Sequence, residues 1–310
     1  MSFQTSSRHF KHRHAMGWSR QVLWDFVITV SVRVLIVAAF TTMCLRRNHA
    51  DAFVQNAWDD LRVRWWFQHD TFEPVLATTS FAFWMALWYA VDLVAYAHIP
   101  TRYRLQTSES MHQWKPQGHV AQEVLLYLAP LAMYDHVKPR RVLPPDAPTA
   151  LACLAQVMCS LLLYDCLFAI FHRAMHSHPV LYRRVHAKHH HNAVVRARDA
   201  VRVSALEQLV DVSCSILALK LTGSHPLSRA IHNIVITFLI TELHSGYSFP
   251  WSFESVVPYG LYLGPTKHVL HHSVNAPYYA KVFAVLECMP SMDVLRVCKH
   301  TSRGWSARRA

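Results

Sequence analysis

Three short clusters of histidine are the residues of this sequence best suited to chemistry. Their members are adjacent or lie three or four positions apart, and a ninth histidine stands alone in the stretch ELHSGYSFPW. The nine are His172 and His176; His186, His189 and His190; His244; and His268, His271 and His272. Because residues three or four apart share one face of an α-helix, each cluster is predicted to present its imidazole rings together.

Imidazole binds iron, zinc and copper well, whereas oxygen-rich sites suit magnesium or calcium. Nine histidines are more than one tetrahedral zinc ion needs. The sequence therefore predicts two metal ions, each held by several imidazoles with one coordination position left open. No catalytic residue is predicted beyond these metal ligands.

The other histidines have plainer interpretations. Four of them are interpreted as structural, namely His178, His191, His225 and His232. Those at positions 9, 12, 14 and 300 are interpreted as solvated charge, because they lie in basic, polar ends of the chain.

Two acidic residues are candidates for supporting the metal ligands. Asp165 lies seven residues before His172, two helical turns back on the same face, and a metal-bound imidazole normally donates its second N–H to a carboxylate or carbonyl. The alternative for Asp165 is an acid at a helix end that meets an arginine. Glu207 has three open interpretations: a metal ligand, an acceptor for a ligand's N–H, or a surface acid.

The elements that must position these residues are long apolar segments. The 310-residue chain is 52% hydrophobic and carries a formal net charge of +12, with its arginines and lysines spread between the apolar runs. That distribution favours a membrane protein with basic loops and argues against nucleic acid as a partner. Membrane-spanning helices are predicted at 22–44, 75–98 and 149–171, and a shorter segment at 119–135 could be re-entrant.

We therefore predict an all-α protein: an integral membrane bundle of about four transmembrane helices with a cytosolic, histidine-rich helical cap. Basic termini favour a cytosolic location for both ends, although Lys138, Arg140 and Arg141 would then face the opposite side. The predicted divisions are a disordered basic tail at 1–21, the bundle at 22–171, the cap at 172–290 and a basic tail at 291–310. Within the cap, helices are expected at 204–222 and 226–243.

The histidine clusters resemble the boxes of the fatty acid hydroxylase / sterol desaturase superfamily of membrane-bound non-haem di-iron oxygenases. The stretches HPVLYRRVHAKHHHN, GSHPLSRAIHNIV and HSGYSFPWSFESVVPYGLYLG are similar to its cholesterol 25-hydroxylase branch, over roughly residues 57–287. The fatty acid hydroxylase domain is expected at about 150–290. The stretch SALE, which ends at Glu207, stands where C4-methylsterol oxidases tend to have H-P-x-E, and this favours oxidation of a sterol side chain.

This resemblance implies two iron ions on the nine histidines, although zinc could replace iron in a purified sample. It implies O2 and a sterol, cholesterol in the first place, as substrates, with cytochrome b5 or a reductase as electron donor. It also implies a multi-pass protein of the endoplasmic reticulum membrane whose active site faces the cytosol. The alternatives are another activity of the superfamily (C4-methylsterol oxidase, sterol C5-desaturase or lipid hydroxylase) or a non-catalytic regulatory membrane protein that retains the metal site.

Several supporting positions depart from the family pattern. The acid expected inside the third box is Val269, and the lysine of the second box is displaced to Lys188 by Ala187. A late Trp-Asp pair is replaced by Leu286-Glu287, and an asparagine by Tyr278. All nine histidines are retained, so these departures bear on rate and substrate choice, and they keep the non-catalytic alternative open.

Overall fold

The computed structural model describes residues 20–95, 98–106, 120–137, 142–191 and 195–288. Within these ranges the protein is helical, and the extended pairing consists of two isolated bridges. The all-α prediction is confirmed. The longer helices, numbered in chain order, are α1 (Arg20–Leu45), α2 (Arg47–Arg62), α3 (Phe72–Ala90), α4 (Val120–Val137), α5 (Ala150–Ser177), α6 (Ala205–Leu221), α7 (Pro226–Leu243) and α8 (Gly264–Val274).

Shorter helical turns complete the described chain. Three are α-helical, at Trp65–Gln68, Pro179–Leu181 and Phe253–Val256. Two are π-helical, at Val91–Ala95 and Tyr182–His186. The 3₁₀ turns are Thr101–Tyr103, His189–His191, Ala197–Val201, Pro258–Gly260 and Ala284–Cys288.

Three helices of the described chain are long and apolar enough to cross a membrane: α1, α3 with its π-helical extension to Leu93, and α5. The segment predicted at 119–135 forms α4, but its 18 residues are not among the three. Polar and charged side chains at both of its ends, including Glu123 and Asp135, shorten its apolar part. The basic residues 138–141 lie outside the described residues.

Helices α3, α5 and α7 run parallel. Glu73 at the start of α3 pairs with Arg229 at the start of α7 at 2.6 Å, and Ser228 of α7 lies 3.4 Å from the sulfur of Cys153 at the start of α5. At the other end, the hydroxyl of Tyr247, just past α7, donates to Asp92, just past α3, at 2.7 Å. Helix α3 ends at one end of the bundle, and α5 begins at the opposite end. The intervening helix α4 therefore connects the two ends.

Hydroxyl and imidazole groups connect the helices through the apolar core. Ser80 of α3 hydrogen-bonds Thr237 of α7 at 2.8 Å. His232 of α7 lies 2.8 Å from Ser160 of α5 and 3.2 Å from Ser215 of α6. Such short polar side chains let helices approach closely where the surroundings offer no water.

Two charged residues of α1 contact segments that lie later in the chain. Arg33 donates to the carbonyls of Val256 and Ser255 at 2.8 and 2.9 Å, and Asp25 pairs with Arg102 at 3.1 Å. Ionisable groups in a membrane span are costly unless they are partnered. Both charged groups inside the helix predicted at 22–44 are therefore partnered.

The helices predicted at 204–222 and 226–243 are α6 and α7. Ser204 caps α6 by accepting from the Glu207 N–H at 3.1 Å, and Pro226 opens α7. Both helices pack against α5, and α7 also packs along α3, so they are part of the bundle. Helix α5 passes through the division predicted at 171/172 without a break. The tails predicted at 1–21 and 291–310 lie outside the described residues, except for positions 20 and 21.

Candidate metal centre

The nine histidines form two groups. Within each group, one ring nitrogen per residue lies within 4.8 Å of all the others. The first group comprises His172, His176, His186, His190 and His271, and the second comprises His189, His244, His268 and His272. The structure thus brings together every histidine that the sequence singled out, in sets that could each hold one metal ion.

The division between the groups does not follow the sequence clusters. His186 ends a π-helical turn and His189 begins a 3₁₀ turn, so the prediction that the second cluster shares one helical face is wrong. His189 joins the second group, whereas His186 and His190 join the first. The third cluster lies on α8 and also splits, because His268 and His272 are one helical turn apart and His271 points elsewhere.

Hydrogen bonding shows which ring nitrogens of the first group are free to bind a metal. Three Nδ1 atoms face an acceptor and therefore carry the proton, which leaves the lone pair on Nε2. These contacts are His172 to the Tyr279 carbonyl (2.7 Å), His186 to a Glu207 carboxylate oxygen (2.9 Å) and His271 to the Ala276 carbonyl (2.9 Å).

The lone pairs of these three rings point at one another. The Nε2 atom of His172 is 3.0 Å from that of His186 and 3.2 Å from that of His271. Two nitrogens bound to one zinc-sized ion at about 2.1 Å, at right or tetrahedral angles, are roughly 3.0–3.4 Å apart. Neither nitrogen of such a pair carries a proton, so they cannot hydrogen-bond each other. Their short separation instead fits two ligands of one shared cation.

The second group has the same character. His244 Nδ1 donates to the Ile240 carbonyl at 2.8 Å, and its Nε2 lies 2.9 Å from His268 Nε2. His272 Nε2 is 3.1 Å from His268 Nε2, and His189 Nε2 is 3.5 Å from His244 Nε2. This spacing also fits ligands of one ion.

Several ring nitrogens are buried without a hydrogen-bond partner among the described residues. They are Nε2 of His176, Nδ1 of His189, both ring nitrogens of His190 and Nδ1 of His272. Buried polar atoms in native proteins are almost always partnered. His176 and His190 belong to the first group, and a metal ion held there would give each ring a partner for one unpartnered nitrogen.

Burial keeps the imidazoles neutral. It lowers the pKa of His190 and of His244 to about 3 and that of His271 to about 4, with the neighbouring His271 ring as a further cause for His190. A neutral imidazole has the lone pair that metal binding requires. Helices α5 and α7 end at the groups, and the partial negative charge of a helix C-terminus favours a cation there.

Glu207 supports an imidazole from the first turn of α6. Its side chain is 3% exposed, which excludes the surface interpretation, and it contacts His186 from outside both histidine groups. Burial raises the pKa of Glu207 well above its ordinary value, so its charged form needs a cation nearby. Its second oxygen, Oε2, is buried with no partner among the described residues.

Asp165 has a different role from the one predicted. Its carboxylate accepts three backbone N–H bonds, from residues 281, 282 and 283, at 2.6, 3.0 and 2.6 Å. The prediction of a contact with the His172 ring is therefore wrong, because that ring donates to the Tyr279 carbonyl instead. Asp165 holds the same short segment that supplies this carbonyl, and it acts one step away from the ligand.

Two of the residues that depart from the family pattern, Glu287 and Lys188, bind loops near the histidines. Glu287 accepts hydrogen bonds from the N–H groups of Tyr279 and Ala280. Lys188 donates to the Val203 carbonyl at 2.8 Å, which connects the second cluster to the start of α6. Both residues thus support the loops around the histidines.

The sequence did not single out Lys281 and Asp211, which lie beside the groups. Lys281 Nζ is 2.7 Å from an Asp211 oxygen, and both residues line a water-sized cavity with His172 and His244. A signal was available, because Asp211 lies four residues after Glu207 on the same face of an apolar helix. The carbonyls of Tyr279 and Ala276 carry no signal, since every residue has one.

A larger cavity of about 620 Å³ has Glu242 and Phe249, which flank the segment that contains His244, in its wall. Its walls come from the end of α3 and from the stretch YSFPWSF, and include Trp88, Val91, Phe249, Trp251 and Phe253. The neighbouring stretch PYGLYLG contributes no wall residue to this cavity among the described residues.

Known proteins resemble this chain over most of its length. A family model described as "Fatty acid hydroxylase" matches residues 157–292. The chain is 31% identical over 251 residues to human cholesterol 25-hydroxylase, covering 78% of this chain and 92% of the relative, and 30% identical over 257 residues to the mouse protein, covering 79% and 86%. It is 30% identical over 141 residues to a methylsterol monooxygenase of Aspergillus fumigatus, covering 44% and 47%. No solved structure matches the chain.

Proposed function

Because the chain belongs to the fatty acid hydroxylase family and is similar to cholesterol 25-hydroxylases, we propose that it is a membrane-bound non-haem di-iron monooxygenase that hydroxylates a sterol side chain. Cholesterol is the first candidate substrate. The reaction consumes one O2, two electrons and two protons, and it converts one C–H bond into C–OH with release of one water. The activity is thus that of an O2-dependent oxidoreductase.

The observation that carries this proposal is the convergence of unprotonated ring nitrogens in two adjacent groups. The first group would hold one iron ion and the second group another, and zinc could take either place because imidazole suits both metals. Bound iron would supply the activation of O2 that no side chain can perform.

The protein's own residues orient the ligands and limit access of water. The acceptors at Tyr279, Glu207 and Ala276 fix the tautomer and the rotation of their rings, so the lone pairs are already aimed before a metal arrives. The cavity between the groups has room for about one water-sized probe, and Phe168 and Val203 form part of its wall. Bulk water is thereby kept from the reacting carbon.

The 620 Å³ cavity is the compartment that we assign to the sterol. Its volume is within the range of small-molecule sites, and its wall is largely apolar. Leu87, Trp88 and Val91 belong to the end of a candidate membrane span, so a sterol could enter from the bilayer. Glu242 lies in its wall and precedes His244 of the second histidine group by two residues, which supports the assignment of the compartment to the substrate of that centre.

We assign the histidine groups to the cytosolic face of the endoplasmic reticulum membrane. Arg183 and Arg184 are exposed beside His186, and basic loops favour the cytosolic side. This location would allow cytochrome b5 or a reductase to deliver the two electrons.

The test is sterol mass spectrometry of cells that express the chain. We expect a side-chain-hydroxylated sterol from the wild type and from His178→Ala, a control at an exposed histidine, and none from His172→Ala/His271→Ala. A 4-methyl-oxidised or desaturated product would instead identify another activity of the family. A cellular effect that persists in the double variant would identify a non-enzymatic role.

A further inference from the structure

One largely enclosed cation, Lys281, contributes to the space between the two histidine groups. Lys281 lines the cavity to which His172 and His186 of the first group and His189, His244 and His268 of the second also contribute. Its side chain is 12% exposed. An ammonium group beside two candidate cation sites is repelled by any cation held there, and an anion bound between them would offset this cost.

The position of Lys281 is fixed by several contacts. Its Nζ donates to Asp211 at 2.7 Å and to the Tyr164 hydroxyl at 3.0 Å, and it lies 3.7 Å above the centre of the Phe168 ring. Its backbone N–H donates to Asp165 at 2.6 Å. The ammonium group is therefore held at the edge of the cavity in a set orientation.

A second observation indicates that the cavity takes a polar occupant. Glu207 also lines it, and the Oε2 atom of this residue is buried without a partner among the described residues, on a side chain that is 3% exposed. A carboxylate oxygen in this position requires a donor. The wall of the cavity thus offers one unmet acceptor and one ammonium donor.

We propose that Lys281 is the residue that binds and protonates small oxygen-derived anions in the space between the histidine groups. This inference rests on the proposed function. As the C–H bond becomes C–OH, one oxygen atom of O2 leaves as water, with two electrons from a separate one-electron carrier protein and two protons. Lys281 gives a proton to the departing oxygen and regains one through Asp211, whose side chain is 18% exposed.

Azide is a suitable probe, because it is a small anion whose binding can be measured without turnover. Absorption titrations of the iron-loaded protein would compare the wild type with Lys281→Met, Lys281→Arg and the control Lys220→Met, an exposed lysine at the end of α6. We expect an azide dissociation constant on the order of tenfold higher in Lys281→Met, the size of one charge-assisted hydrogen bond. Lys281→Arg and Lys220→Met should remain near the wild type.

A merely structural lysine would change the melting temperature but leave the azide affinity unchanged, and that result would overturn the proposal. If Lys281→Met fails to fold, Lys281→Gln keeps a donor for Asp211 without the charge and gives the same comparison. Sterol product, measured on the same preparations, tests the proposed function separately. Azide binding that depends on Lys281 without any product would retain the anion site at Lys281 but remove the proposed function and, with it, the proton transfer. Product with unchanged azide affinity would retain the proposed function and overturn the inference about Lys281.

Discussion

The two histidine groups are supported and enclosed in different ways. In the first, three rings donate Nδ1–H to acceptors on α6 and on the segments after α8, while His176 and His190 remain partly exposed. In the second, all four rings are buried, but only His244 has a described acceptor for its Nδ1, and Nδ1 of His189 and His272 have none among the described residues.

This difference indicates that separate parts of the protein determine the orientation of the ligand rings and the access of solvent to them. Acceptors behind the rings raise ligand basicity and fix the ring planes, so the first group is expected to bind its ion more tightly. Enclosure by apolar helices keeps the second group from solvent, so its ion is expected to exchange more slowly. The predictions below test this contrast.

The largest expected effect comes from removing two ligands of either group. His172→Ala/His271→Ala and His268→Ala/His272→Ala should each lose product formation on the order of 10³-fold or more, because residues that act as one unit are lost together. Metal analysis should find about one ion per chain remaining in each variant. Product from the second variant at the wild-type rate would exclude the second group from the active centre.

A smaller effect is expected from Glu207→Gln, which removes the charge behind His186 while keeping the shape of the side chain. Metal affinity at the first group should fall by about 10–100-fold, and that of the second group should not change. Chelator competition on the protein loaded with two ions would resolve the two affinities.

The matched control is Glu242→Gln. This buried acid lies two residues before His244, but its carboxylate accepts from the Tyr262 hydroxyl at 2.9 Å and the Phe253 N–H at 3.2 Å. Both metal affinities should be retained in it. If Glu207→Gln lowered the metal affinity of both groups equally, the inference that different residues support the two groups would be refuted.

Much of the fold could be predicted from the sequence because it depends on local signals. Apolar runs place α1, α3 and α5, and the caps Ser204 and His225 place the starts of α6 and α7. The short segment predicted at 119–135 is found as α4, but the absence of a break in α5 at 171/172 could not be predicted, because it depends on which faces pack. Spacing singled out eight of the nine histidines, whereas His244 stands alone in the sequence and was included through the family resemblance; the division of the nine into five and four could not be predicted from spacing.

That division depends on backbone geometry that spacing cannot reveal. A π-helical turn ending at His186 followed by a 3₁₀ turn rotates His189 away from its neighbours, and neither turn has a sequence signature here. Asp165 was misplaced for a related reason. Two helical turns bring its carboxylate under His172, but a segment more than a hundred residues later fills the space between them.

Asp165→Asn should therefore weaken metal binding at the first group indirectly, through the segment that contains Tyr279. The charged carboxylate that receives three backbone N–H bonds is replaced by an amide with one acceptor oxygen, at a cost of about 2 kcal/mol in the free energy of unfolding. Thermal unfolding in detergent should detect a lower melting temperature, and metal affinity should decline several-fold at the first group only. Asp59→Asn, at an exposed ion pair on α2, should leave both measurements unchanged. A loss of affinity confined to the second group would contradict the connection through Tyr279.

The smallest effect is expected at His232. This residue tests whether burial alone makes a histidine a metal ligand, or whether its ring nitrogens must also face those of other histidines. Burial lowers its pKa to about 3, as it does for His244, and its ring is completely buried. Its two nitrogens, however, meet the hydroxyls of Ser160 and Ser215 instead of other imidazoles, so every polar atom is satisfied without a metal. His232→Gln should therefore cost about 1 kcal/mol of stability, since an amide can keep part of this bonding, and should retain both metal ions and the sterol product. Loss of an ion from this variant would mean that burial of histidine in this bundle, and not the facing of ring nitrogens, determines where metal binds.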